Sequence, residues 1–167
     1  LTAMPPVDKM AFDAYDFMND VHFASIMIAV LLHMPLWTIF APECTSWSKA
    51  NDFNSGCDKS EKIKIEKQAE QTKVMARVRA VLRAIWSYGG HAVIENPAHS
   101  HFWNQKFCQQ IEDETPDTHS WRDVVLNLCR VGGAHFKAMR FRTTAPAEAT
   151  NHMEVKYDHP FKHPSCT

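Results

Sequence analysis

A chain of 167 residues is the length of one domain and can bury a single core. Eighteen Lys and Arg against nineteen Asp and Glu leave a net charge of −1, which excludes a globally basic surface; a nucleic-acid role requires a local patch. Five cysteines, an odd count with no C-x-x-C, exclude a disulfide framework and point to a reducing intracellular compartment, nuclear or cytoplasmic.

The chain opens on Leu1 rather than Met, which marks it as a candidate fragment, and no basic region leads into an apolar run, so no signal peptide is read. After an irregular start with a Pro-Pro pair, Asn19 or Asp20 is placed to cap a helix over residues 21–32. From His22 to Ala41 there is no Asp, Glu, Lys or Arg, a stretch long enough to span a bilayer. His33-Met34-Pro35 divides it, however, into a helix and a strand, both expected to be buried, and no membrane association is expected. The strand, residues 36–41, is apolar on both faces, as parallel strands are.

A polar loop, 45–59, leads into a long helix from Ser60. Its first half is charged, and its second half sets Val74, Val78, Val81, Leu82 and Ile85 on one face before Tyr88-Gly89-Gly90 stops it. The Lys and Arg of that helix are interleaved with Glu61, Glu66 and Glu70, which reads as a solvated face. "HAVIENP" follows as a short apolar strand, then an aromatic stretch to Ile111 and an acidic loop with Pro116. Two further strands, in "SWRDVVLNLCRVGG" and "HFKAMRFRTTA", flank Gly132-Gly133. Strand and helix in alternation predict an α/β layer fold with a parallel sheet over residues 1–145, and a His/Pro-rich tail over 146–167.

Ligands of such sheets bind beyond the carboxyl ends of the strands. There the sequence sets Pro42-Glu43-Cys44 after one strand and Glu95-Asn96-Pro97 after the next, a thiol and a carboxylate at one rim. With Arg140 and Arg142, they suit attack on an electron-poor heterocycle: a thiolate adds to a ring carbon, a carboxylic acid bonds a ring nitrogen, and arginine steadies developing charge. Each also has an ordinary role: a half-buried structural cysteine, a paired carboxylate ending a strand, a turn at Asn96-Pro97, and an exposed strand face for the arginines. Trp47 and Trp103 can stack a base or simply pack in the core.

The order Pro42-x-Cys44-x-x-Trp47-Ser48, then Glu95-Asn96-Pro97 with Ser100 and Trp103, then Cys129 and Gly132 before "MRFRTTA", resembles the central motifs of DNA cytosine-5 methyltransferases. It is closest to the divergent methylase-like proteins of phages and retroelements, and it covers roughly residues 19–145. The resemblance implies a Rossmann-like methyltransferase sheet of viral or mobile-element origin, acting on DNA or single-stranded nucleic acid with a flipped or unpaired base. It implies that Cys44 attacks C6 of cytosine, that Glu95 contacts N3 and the exocyclic amine, that Asn96 holds the loop, and that Pro42 and Asn96 belong with Asp20 to the cofactor site. Arg140 and Arg142 match the family's Gln-x-Arg-x-Arg, with Ala138 in place of the glutamine. Asp20 matches the acidic residue that contacts S-adenosylmethionine.

Three departures accompany it. No glycine occurs before Gly56, where the family has a glycine-rich cofactor loop, so the strand carrying that loop is expected to be missing. Glu43 replaces the proline before the nucleophile and disfavours a thiolate. Nothing after Arg142 is long enough for a target-recognition domain. The alternative is a degenerate copy that binds nucleic acid or protein without catalysis. A third reading, a cysteine hydrolase pairing Cys44 with His91 or His101, has no motif behind it. Zinc is a secondary reading, through His159, His163 and Cys166 with Cys57, Cys129 or His152.

Overall fold

The computed structural model describes residues 16–48, 58–127 and 137–151. Helix α1, Asp20–His33, begins at Asn19, whose Oδ1 accepts from the backbone N–H of Val21 at 2.9 Å and His22 at 3.3 Å, two donors left without intrahelical partners. It ends at Met34, which takes the left-handed conformation at φ 44°. Pro35 then turns the chain into strand β1, Trp37–Phe40. After a short 3₁₀ turn, Thr45–Trp47, comes helix α2, Asp58–Ser87. Gly89 closes α2 at φ +78°, and the N–H of Gly90 reaches Ile85 O at 3.0 Å. A Cβ on Gly90 would lie 2.8 Å from the Tyr88 ring and 3.0 Å from Pro35 O, so no side chain fits where α2 meets the start of β1.

Strand β2, His91–Pro97, leads through a 3₁₀ turn at His101–Asn104 to helix α3, Lys106–Asp113. Strands β3, Arg122–Asn127, and β4, Ala138–Thr143, complete the sheet, and α4, Ala147–Thr150, follows. The strand order is β1-β2-β4-β3. β1 and β2 are parallel, joined by the crossover helix α2 as parallel neighbours require. β4 runs antiparallel to both β2 and β3. The sheet is therefore mixed rather than parallel throughout, a correction with a simple cause. Only residues 128–137 separate β3 from β4, fewer than the roughly dozen that a parallel crossover takes.

Side chains alternate across the sheet. Ala92 and Ile94 of β2 pack with Met75, Val78 and Leu82 of α2 and with Phe102, Phe107 and Ile111 on the α3 side, forming the main core. On α2 the neighbouring stripe, Val81 and Ile85, faces Ile26 and Val30 of α1, and Phe40 touches both clusters. The expected single apolar face of α2 is thus two adjacent stripes, one for the sheet and one for α1.

β1 was expected to be buried on both faces. It is instead the edge strand, with Trp37 44 % and Ile39 68 % exposed. α1, also expected to be buried, buries only Ile26 and Val30. Among the described residues no helix is long and apolar enough to cross a membrane. The expected tail begins with α4. The Arg122 guanidinium donates from Nε to Ala145 O at 3.1 Å and from Nη2 to Pro146 O at 3.0 Å and Ala147 O at 3.3 Å, holding this segment against β3. Residues 152–167 lie outside the described residues.

Candidate functional site

The parallel pairing of β1 with β2 carries the two strand-end motifs to one rim of the sheet. The link between them is direct: Asn96 Nδ2 donates to Pro42 O at 3.0 Å from a side chain only 1 % exposed. Further contacts sew the loop after β1 to its surroundings. Ser100 Oγ donates to Trp47 O at 3.3 Å, and Gln68 Nε2 of α2 donates to Ser46 O at 3.0 Å. Trp47 enters the main core edge-on to Phe107, their ring centroids 5.8 Å apart. Cys44 sits half-buried at the head of this loop, its carbonyl accepting from Trp47 N at 3.1 Å. Its neighbour Glu43 lies 3.6 Å from Lys67 Nζ on α2, so a cation accompanies the carboxylate beside the thiol.

Trp103 anchors the other half of the rim. Its indole N–H donates to Pro97 O at 2.9 Å, and the guanidinium carbons of Arg140 and Arg142 each lie 5.2 Å from its ring centroid. Both arginines are ion-paired. Arg142 donates to Asp123 from Nε at 2.8 Å and from Nη2 at 3.1 Å, and its Nη1 reaches Glu112. Arg140 Nη1 is 3.4 Å from Asp123. The Asp123 carboxylate, first by hydrogen bonding, holds the Arg142 guanidinium above its ordinary pKa against the opposing effect of burial. These contacts fix the arginines within the domain.

Register decides which residues share a face. Asn96 is opposite Arg140 and Ile94 is opposite Arg142, so both arginines lie on the helix side with Asn96 and the Pro42–Trp47 loop. Glu95 is opposite Phe141 and points from the other face of β2. The structure thus brings Pro42, Asn96 and the two arginines to one side of the rim with the loop that carries Cys44, and directs Glu95 away from the arginines.

Burial raises the Glu95 carboxyl above the ordinary carboxylate range, with Lys137 pulling the other way. A carboxyl whose folded-state pKa is raised contributes stability that is fully present below its unfolded pKa and lost as pH rises through the folded one. Glu95→Gln is therefore expected to gain stability relative to the parent chain as pH rises from the ordinary carboxylate range through the raised pKa. Urea midpoints across a pH series measure this; a difference that stays flat with pH would contradict it.

Several polar atoms at the rim are buried without a hydrogen-bond partner among the described residues: Ser46 Oγ, Trp47 Nε1, Asn96 Oδ1 and Arg140 Nε. His22 Nδ1, Thr38 Oγ1, Gln71 Oε1, Trp86 Nε1, His91 Nδ1 and Thr150 Oγ1 are in the same state elsewhere in the fold, so these atoms do not single out the rim. Sequence reasoning assigned Trp47 to stacking or core packing and did not single out Ser46. Only the proximity of Ser46 to Cys44 hinted at it.

Asp20 lies in the first turn of α1, where its carboxylate is paired with Arg77 of α2, and Arg77 also donates to Phe17 O at 2.6 Å. The two described glycines, Gly89 and Gly90, lie at the amino end of β2, opposite the rim. With Asp20 engaged by Arg77 and no glycine beside it, the described residues do not fit S-adenosylmethionine.

His91 begins β2 at the end away from Cys44, its ring 5.8 Å from Trp37 and 5.4 Å from His119, so the structure does not pair it with the thiol. His101 sits in the 3₁₀ turn after β2. Among the described residues no group of three or more His, Cys, Asp or Glu is arranged to hold a metal. Cys57, Cys129, His152, His159, His163 and Cys166 lie outside the described residues. No family model, curated protein or solved structure matches the chain.

Proposed function

We propose that this chain is a DNA cytosine-5 methyltransferase-like domain whose rim around Cys44 receives a cytosine ring from single-stranded or flipped nucleic acid. The observation that carries the reading is the 3.0 Å hydrogen bond from Asn96 Nδ2 to Pro42 O. It joins the Pro-x-Cys and Glu-Asn-Pro segments at the carboxyl ends of adjacent parallel strands, where sheets of this kind bind ligands. Glu95, on the other face of β2, does not share the rim with the Cys44 loop, so the reading rests on Cys44 and Asn96 without it.

The chemistry assigned to the protein's own residues is addition of the Cys44 thiolate to C6, which makes C5 nucleophilic. Without a methyl donor, C5 takes a deuteron from heavy water. The original H5 then leaves as a proton while the sulfur–C6 bond breaks, regenerating cytosine and thiolate. Methyl transfer draws on S-adenosylmethionine, for which the described residues offer no cradle, and no step is assigned to it here.

The test is loss of the cytosine H5 signal in a single-stranded oligonucleotide in heavy water, followed by NMR. Exchange with the parent chain that disappears in Cys44→Ser is expected; equal exchange in both, or none in either, overturns the thiol reading. Calorimetry with S-adenosylmethionine on the parent and on Asp20→Ala is the companion: heat lost in the variant would reinstate Asp20 as a cofactor ligand. A second reading, a non-catalytic nucleic-acid or protein-binding copy of the same domain, is favoured by the pairing of Arg142 with Asp123 and Glu112. Oligonucleotide binding that survives Cys44→Ser with no H5 exchange would select it.

A further inference from the structure

We propose that the ion pair of Glu43 and Lys67 reads the base at the rim, the carboxylate accepting from the exocyclic amine of cytosine and the ammonium donating to its N3. The inference rests on the reading of the rim as a cytosine site and names what selects the ring there. Glu95 points from the other face of β2, so the carboxylate expected at the rim stands elsewhere. Glu43 supplies one on the helix side. It directly precedes Cys44, and its carboxylate lies 3.6 Å from Lys67 Nζ on α2. That helix covers the face of β2 that carries Ile94 and, by alternation, Asn96.

The pair is held between fixed points. The Asn96 bond to Pro42 O secures the chain one residue before Glu43. Gln68, next to Lys67 on α2, donates from Nε2 to Ser46 O at 3.0 Å, which secures the chain three residues after it. Both charged side chains are nonetheless 47 % exposed, whereas that of the ion-paired Arg142 is 17 % exposed. An exposed pair of this kind contributes only about 0–1 kcal/mol to stability, so a ligand engages its charges at little cost to the fold.

Glu43 and Lys67 set an acceptor beside a donor. Along its pairing edge cytosine presents the complement, an amine donor at C4 beside the N3 acceptor, and carboxylates accept from that amine when proteins read the base. Uracil inverts both groups. Its O4 then faces the carboxylate and its N3–H faces the ammonium, so each contact is lost and two like groups are opposed in its place. Donation to N3 also draws electron density out of the ring, the direction that favours addition of a thiolate at C6. Glu43, which departs from the proline of the resemblance, thereby acquires a role that proline cannot fill.

Fluorescence anisotropy with labelled single-stranded oligo(dA) carrying one central dC or dU tests the proposal on the whole chain. The parent should bind the dC strand about tenfold more tightly than the dU strand. Glu43→Gln, whose amide can turn its NH2 toward O4, should bring the two affinities together. Glu43→Lys combined with Lys67→Glu keeps an ion pair, guards against misfolding, and should invert the preference; circular dichroism checks each variant. A parent that binds both strands equally, or neither, overturns the inference, as does a folded Glu43→Gln that weakens both strands alike, the mark of a merely structural pair. H5 exchange separates the two levels. Exchange in the parent with a dC/dU ratio unmoved by Glu43→Gln overturns this inference and leaves the thiol reading standing. A dC preference that depends on Glu43 without exchange upholds the pair as a base reader and overturns the thiol reading.

Discussion

Trp103→Ala should lower the unfolding free energy by about 3–5 kcal/mol, a large share of the roughly 5–15 kcal/mol that holds a domain together. Trp103 is 7 % exposed in the main core, edge-on to Phe102 with ring centroids 5.2 Å apart. Truncation opens a cavity beneath the rim. It also leaves Pro97 O without its indole donor and strips both arginines of the ring on which they rest. Arg142 keeps its bonds to Asp123 and Glu112, so the strand–helix tie persists while the packing under it fails. Trp103→Phe restores most of the volume and the aromatic face but not the N–H, and should recover more than half the loss. Urea titrations of the three proteins decide this. An alanine variant within about 1 kcal/mol of the parent would mean that the ring is not what supports the rim.

The parts of this fold that were legible in the sequence are those with local causes. Asn19 caps α1 through its own side chain, and Gly89 ends α2 because a left-handed residue is needed there. The rim was legible for the same reason: Pro42 and Pro97 mark strand ends, and a helix between the strands requires them to be parallel. The antiparallel course of β4 was also available from the shortness of the link after Asn127.

What the sequence did not carry was register. Glu95 and Asn96 are neighbours in the chain and lie on opposite sides of the sheet. Which of them joins Arg140 depends on the pairing of Asn96 with Arg140, a contact 44 residues away in sequence. The partners of the arginines were equally hidden. Nothing local marks Glu112 and Asp123 as the carboxylates that meet Arg142, although "RFR" reads as a free basic strand. The exposure of β1 and α1 has a different origin. An apolar pattern states that a surface seeks cover, and it does not state what supplies it.

Asn96→Ala should detach the Cys44 loop while leaving the core intact. The side chain is 1 % exposed and supplies the hydrogen bond that holds Pro42 O. A carbonyl left unsatisfied in a buried setting costs about 1–3 kcal/mol, less than the gap to unfolding. The loop retains Ser100 Oγ on Trp47 O and Gln68 on Ser46 O, so its far end stays docked and the loss concentrates between Phe40 and Thr45. Cysteine chemistry separates this local release from general destabilisation. Cys108 is buried in the main core, its thiol hydrogen-bonded to Phe102 O at 3.4 Å and pushed up to about 12 by burial. Only unfolding exposes it. Alkylation of the native protein, mapped by peptide mass, should therefore proceed faster at Cys44 in the variant than in the parent, with Cys108 unmodified in both. H5 exchange should fall because the thiol no longer has a fixed place above a bound ring. Simultaneous labelling of Cys44 and Cys108 would show that Asn96 supports the whole domain. An unchanged Cys44 rate would show that the Asn96–Pro42 bond does not position the thiol, and would remove the observation on which the functional reading rests.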